Sequence, residues 1–522
     1  MFRRFVLACA LAAFAAPAAA QTAPATQTPR LLVFITVDQL RPDYFTRWPG
    51  QLTGGLARLW NGGAVFTDAH HDHAVTETAP GHASVMSGRF PRSTGIVSNE
   101  FGVGDPRSRL LGSTATGASP FRFRGTVLAD WMKTKDPRTR VLSVARKDRG
   151  AILPVGRARH TVLWYAPNGT FTTSTWYGTT LPAWVRRFNA RRLPQSYAGT
   201  SWTPLLPASA YPEPDSVPVE AGGVGYTFPH VVPRTLAQAT DALTRFPVMD
   251  QLTLGLAMEG LRAMELGRGP ATDVLAISLS TTDAIGHHYG PDSRELHDQV
   301  LRLDRALGAF LDSLYAVRDP ATVIVALTAD HGVTPYPEVG DPANAAAMHV
   351  SDARLRSWMR TTAQRWGVDT AAVDGDVGLL RLNPAAFARA GRDPRAFARE
   401  YVEFARTVRG VLRADLFPDV AADSARDAIA RRWGHMIPRD LPYYAVVTLR
   451  PGHVWGRGSY AQHGSPHDID SRVPIIFYGA PFRPGKYDTF ARTVDIAPTL
   501  ARVLGVRPTE PLDGTVLTRA LR

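Results

Sequence analysis

The chain has 522 residues, 44% of them hydrophobic, enough for a large buried core and too apolar for a disordered or fibrous protein. Its net charge of +13 comes almost wholly from arginine, since lysine stands only at 133, 135, 147 and 486. No dense basic run or basic-aromatic motif occurs, which argues against nucleic acid as a specific ligand; the charge reads first as a surface made soluble by arginine, with a field that draws in anionic substrates as the alternative.

Residues 1–20 carry Arg3 and Arg4, an apolar middle and Ala18-Ala19-Ala20 before Gln21. That is the pattern of a secretory signal peptide cut after Ala20, so the mature protein is expected in the periplasm or the medium. The single cysteine, Cys9, lies inside it. A lipid-anchor reading of Val6-Leu7-Ala8-Cys9 would leave almost no apolar run before that cysteine. The mature chain is thus expected to lack thiols and disulfides, and any metal must rest on His and Asp. No other stretch approaches the roughly twenty apolar residues of a membrane span.

A Thr/Ala/Pro-rich leader, 21–30, precedes one domain expected over 31–522. LLVFITVD ends in Asp38, VLAISLSTTD in Asp283, and TVIVALTAD in Asp330. Such apolar runs suit strands of a mostly parallel α/β sheet with helices on both faces. Ligands bind beyond the carboxyl ends of such strands, where the three carboxylates fall. Apolar residues at 296, 300, 303, 307, 310, 311 and 314 predict a helix over 294–315, with Asp292 and Glu295 as its capping box. The strands 274–283 and 322–330 with this helix predict a βαβ unit. VPIIFYG (473–479) reads as a further strand, and Val494 to Leu500 leads into a closing helix.

Two stretches break the alternation and read as insertions, about 151–245 and 336–455. In the first, Asn168-Gly169 between β-rich runs predicts a hairpin, and the four tryptophans 164, 176, 184 and 202 read as local core. In the second, helical patterns over 395–409 and 422–433 alternate with Pro and Gly breaks.

The chemistry-bearing residues are Asp38, Thr78, Asp283-x3-His287, Asp330-His331 and His463. Mixed Asp/His ligation without thiolates suits zinc with positions left open for substrate, while manganese or iron also fits. Thr78 precedes a run, Ala79 to Ser87, that reads as a helix with Pro80 in its first turn. A hydroxyl there faces backbone N–H groups that favour anions, and a metal can help it ionise. Thr76 is the rival nucleophile. The His70-His71-Asp72-His73 cluster reads as a loop that orients ligands rather than as a third metal site. His288, His467 and Asp468 are expected to support neighbouring ligands.

These motifs resemble the alkaline phosphatase superfamily, in its nucleotide pyrophosphatase/phosphodiesterase-like branch, and are most similar to PafA-type alkaline phosphatases. The matching stretches are 31–45, 66–102, 141–155, 274–290, 324–333 and 458–505; the insertions are little covered. The resemblance implies Thr78, before x-Pro-Gly-His, as nucleophile forming a phosphothreonine. It implies two Zn2+ per chain, one on Asp38, Asp330 and His331, the other on Asp283, His287 and His463. It places Asn99 on a phosphoryl oxygen, and Lys147 and Arg149 on the others, as in the monoesterase branch. The expected substrates are small phosphate monoesters, with phosphodiesters as the alternative and a non-catalytic phosphate- or metal-binding role as a weaker one. Sulfatase chemistry is disfavoured, because Thr78 cannot supply formylglycine. No protein partner is implied.

Overall fold

Along Leu31–Val37 (β1) every residue is buried, and alternate side chains enter two different cores. Leu31, Val33, Ile35 and Val37 enter one; Leu32 and Phe34 enter the other. A strand reads this way when both faces of its sheet are covered. The computed structural model describes residues 28–339, 346–376, 378–422, 424–425, 427–456 and 460–522. The expected signal peptide, and the leader up to residue 27, lie outside the described residues.

The other strands of this sheet are Ala64–Phe66 (β2), Val141–Ala145 (β3), Thr161–Tyr165 (β4), Phe171–Thr172 (β5), Asp273–Leu279 (β6), Val323–Thr328 (β7), Ile475–Tyr478 (β8) and Gly485–Tyr487 (β9). Their order is β9-β2-β8-β7-β1-β6-β3-β4-β5. The five strands β7, β1, β6, β3 and β4 are parallel neighbours, whereas β8 and β5 run antiparallel to theirs. On one face pack Val248–Ala263 and Arg294–Tyr315, on the other Thr78–Val85, Leu128–Lys135 and Ile496–Leu504. The architecture is the expected α/β one.

Three elements differ from the expected ones. The helix over 294–315 is capped by Ser293, whose side chain accepts from Leu296 N, and not by Asp292. Its short hydroxyl sits at the N-cap itself, the geometry this role needs. The strands β6 and β7 are parallel, but β1 lies between them, so the crossover spans two strand positions. The run read as a strand to Asp283 stops at Leu279, and a helix, Thr281–Tyr289, begins at once.

The hairpin at Asn168-Gly169 forms, with Trp164 paired to Thr172 and Tyr165 to Phe171. Its strands β4 and β5 extend the main sheet, so residues 161–172 belong to the core rather than to an insertion. The second insertion has its own antiparallel sheet, Val373–Asp376, Leu379–Leu382, Tyr443–Leu449 and Val411–Leu416 in spatial order, over a separate apolar core. The helix expected over 395–409 spans Pro394–Arg406, and the one over 422–433 divides into Phe417–Ala422 and Ala428–Met436. Trp433, Met436 and Tyr443 pack against Ala74, Val75 and Val97, on the loops either side of Thr78–Val85. The insertion thereby braces the segment that carries Thr78. Among the described residues no helix is long and apolar enough to cross a membrane.

Candidate functional site

The neighbouring strands β3, β6, β1 and β7 all point their carboxyl ends to one edge, and just past them stand Lys147, Asp283, Asp38 and Asp330. Asp38 N donates to Leu279 O at 2.9 Å, carrying the ladder one step beyond β1 before the chain turns away. Because Asp283 lies on the helix Thr281–Tyr289, His287 follows four residues later on the same helical face, with Nε2 3.3 Å from Asp283 Oδ1. His463 arrives from the loop that pairs Gln462 with Thr334.

The three histidines share one hydrogen-bonding pattern. Nδ1 faces a backbone carbonyl in each: Ala461 O at 2.7 Å for His287, Gly332 O at 2.9 Å for His331 and Thr76 O at 2.8 Å for His463. A carbonyl only accepts, so Nδ1 carries the hydrogen and Nε2 keeps its lone pair in a neutral ring. His287 Nε2 and His463 Nε2 lie 3.1 Å apart. With both rings neutral, two lone pairs meet at that separation, an arrangement that a shared cation relieves.

Asp330 Oδ2 and His331 Nε2 are buried without a hydrogen bond, and Asp38 Oδ2, also buried, faces the Lys147 ammonium at 2.7 Å. Buried polar atoms are normally paired, and such a set fits a divalent cation taking oxygen and nitrogen ligands. The donors form two groups, each with ligand atoms within 4.8 Å of one another: Asp283, His331 and His463, and Asp38, His82 and Asp330. His331 stands between them, its Nε2 3.9 Å from Asp283 Oδ1 and 3.4 Å from Asp330 Oδ2.

Burial opposes ionisation of Asp283, but the Lys147 ammonium and His287 hold its carboxyl well below the usual range. Burial, then the neighbouring rings His331 and His287, push His463 well below an ordinary histidine. Burial likewise takes His331 to about 3, against the pull of Asp283. His331 and His463 are thereby neutral, the state that metal ligation requires, whereas at His287 burial works against the charge but Asp283 raises it above the ordinary value.

Lys147 Nζ is 2.7 Å from Asp38 Oδ2 and 2.7 Å from Asp283 Oδ2, and it donates to Thr78 Oγ1 at 3.1 Å. Thr78 is the first residue of its helix, with Glu77 at the N-cap position. Asn99 takes the capping role, its Oδ1 accepting from Ala79 N at 2.9 Å. Gly81 lets the helix close on β7, since a Cβ there would sit 2.3 Å from Asp330 O. Thr76, the rival nucleophile, is already committed: its hydroxyl donates to Ser465 O at 2.9 Å and accepts from Gly464 N at 3.2 Å. Exposure rises from 0% at Asp38 and Asp330 to 28% at the His287 side chain and 27% at Arg149, so the site opens on that side. Arg149 Nε has no hydrogen-bond partner among the described residues.

Sequence reasoning missed His82, Arg146 and Gln39. His82 lies 3.6 Å from Asp38 Oδ1 and 3.4 Å from Asp330 Oδ2, with Nδ1 on Thr78 O and Nε2 on Ser278 Oγ. Burial works against its charge, but Asp330 and Asp38 raise it above the ordinary value. With both nitrogens engaged, His82 steadies the carboxylates from behind. Its signal was its place in Thr-Ala-Pro-Gly-His. Arg146 donates to Ser280 O at 3.2 Å, directly beside Lys147 in sequence.

The His70–His73 cluster forms no metal group among the described residues. His71 Nε2 donates to Ala329 O at 2.8 Å, behind Asp330, and Asp72 pairs with Arg431. His467 and Asp468 bond to Leu449 O and Arg432, facing the second insertion, and His288 stacks on Tyr460.

With this geometry stands a family match. The chain belongs to the type I phosphodiesterase / nucleotide pyrophosphatase family, whose model matches residues 32–443. Alkaline phosphatase PhoV of Synechococcus elongatus is 31% identical over 529 residues, covering 95% of this chain and 93% of that protein. Alkaline phosphatase PhoK of a Sphingomonas species is 32% identical over 532 residues, 94% of this chain and 91% of that protein. The crystal structure of wild-type alkaline phosphatase PafA superposes with a TM-score of 0.87 at 26% identity, over 95% of this chain and 100% of that one.

Proposed function

We propose that this chain is a zinc-dependent alkaline phosphatase that hydrolyses small phosphate monoesters through a phosphothreonine on Thr78. The observation that carries the reading is the placing of Thr78 Oγ1 on the Lys147 ammonium, beside two clusters of metal-type ligands. The relatives named alkaline phosphatases support the substrate class. Asp38, Asp330 and His331 would hold one ion, and Asp283, His287 and His463 the other. When bound, the pair supplies Lewis-acid stabilisation of the attacking and leaving oxygens.

The chain's own residues do the rest. Lys147 donates to the Thr78 oxygen and stabilises its negative charge as its proton passes to solvent water. Thr78 Oγ1 bonds to phosphorus as the bond to the ester oxygen breaks, and the ester oxygen takes a proton from water and departs as the alcohol. Water then displaces Thr78 from phosphorus, releasing inorganic phosphate and the free hydroxyl. Asn99, its carbonyl fixed on Ala79 N, offers its NH2 to a non-bridging oxygen, and Lys147 and Arg149 hold the others. A monoester dianion exposes more charge than a diester, so these cations favour it in the transition state. The family description favours a second reading, diester hydrolysis at the same site. The signal read in residues 1–20 supports, in this proposal, an exported enzyme of the periplasm or the medium.

Acid quenching during turnover of an aryl phosphate, followed by peptide mass spectrometry, tests the reading. Phosphate on the Thr78 peptide is the expected result; phosphate on another residue would overturn the assignment.

A further inference from the structure

Gln39 is fully buried and follows Asp38, with its backbone in the left-handed region at φ 65°. That conformation is costly for a side chain other than glycine and is retained where surrounding contacts impose it. The contacts here reach both ligand clusters. Gln39 N donates to Asp330 Oδ1 at 3.1 Å, and Gln39 Nε2 donates to Asp283 Oδ1 at 3.1 Å. One residue thus grips a carboxylate from each cluster, while its neighbour Asp38 belongs to one of them. Asp330 Oδ2 is left free of hydrogen bonds, turned towards His82 and His331.

The side chain is also walled in. A Cβ on Gly286 would fall 1.8 Å from Gln39 Oε1. Gly286 lies on the helix between Asp283 and His287, so the glycine makes room for the amide beneath both residues.

We propose that Gln39 is a positioning residue that sets the spacing of Asp283 and Asp330, and through them the separation of the two metal sites. The inference rests on the bimetallic reading above. Partners that orient metal-bound carboxylates typically change metal affinity by about 10–100-fold when lost.

The test is zinc competition against a chromophoric chelator on the full chain, comparing wild type with Gln39→Met and Gly286→Ala. Gln39→Met keeps the side chain's length and the backbone N–H but removes the amide. Gly286→Ala leaves Gln39 and every ligand in place yet drives the amide off Asp283. Both variants should lose affinity by about tenfold or more for at least one of two zinc equivalents. Variants that fold as wild type by circular dichroism and compete for both equivalents with wild-type affinity would overturn the proposal alone. A wild-type chain that takes up no zinc would overturn the bimetallic reading, and this inference with it.

Discussion

His287 Nε2 and His463 Nε2 face each other at 3.1 Å, each ring having committed its Nδ1 hydrogen to a backbone carbonyl. The second carbonyl belongs to Thr76, two residues before Thr78, so the His463 loop and the Thr78 segment are held in one frame. Removing metal by exhaustive chelation should lower kcat/KM by roughly 10^3-fold, with recovery on adding zinc. Zinc at a hundred times its dissociation constant should also stabilise the fold by about 2.7 kcal/mol. Full activity in demetallated protein would contradict the metal assignment.

Thr78 and Thr76 separate cleanly by what their hydroxyls touch. Thr78→Ala should cut turnover by roughly 10^3-fold or more at any zinc concentration, because the attacking oxygen is gone. Thr76→Val removes two hydrogen bonds that hold the 463–465 loop, a cost of about 1–2 kcal/mol, and excess zinc should restore much of its rate. Rate measurements across a zinc titration decide it, and rescue of Thr78→Ala by zinc would refute the nucleophile.

Lys147 touches Thr78, Asp38 and Asp283 at once. Lys147→Ala should depress kcat/KM for a monoester about tenfold more than for a diester, since the dianion loses the larger interaction. Equal losses would show that the ammonium serves the nucleophile alone.

Asp72 gives a prediction away from the chemistry. Burial opposes its charge, but His435 and Arg431 together hold its carboxyl down at about 2, from 3.8. Its folded pKa is depressed, so the folded state binds fewer protons than the unfolded one as pH falls through this interval. The stabilisation is therefore full above pH of about 4 and lost as pH falls towards 2. Asp72→Asn should cost about 2 kcal/mol at pH 7 by denaturant unfolding, with the gap to wild type closing in acid. A gap independent of pH would mean that the ion pair contributes nothing.

Asp38, Asp283 and Asp330 were legible because long apolar runs ended at or just before them, and burial on both sheet faces leaves that mark in sequence. Asp283-x3-His287 gained its meaning from helix geometry, one turn apart. Gln39 and His82 were not legible in this way. Gln39 acts on Asp330 and Asp283 across 291 and 244 positions of sequence, and no local period records such a contact. The second insertion was seen only as broken helices, because its short strands pair antiparallel across long separations and carry charged residues such as Asp374, Asp376 and Arg381. The hairpin at Asn168-Gly169 was readable from its turn, but not that its strands would join the main sheet.

Monoester hydrolysis is tested by kcat/KM for an aryl phosphate monoester against its methyl diester, on zinc-loaded protein at alkaline pH. A large preference for the monoester is the predicted result. A preference for the diester would contradict the substrate class while leaving the two-metal site in place, and no turnover of either would contradict the catalytic reading itself.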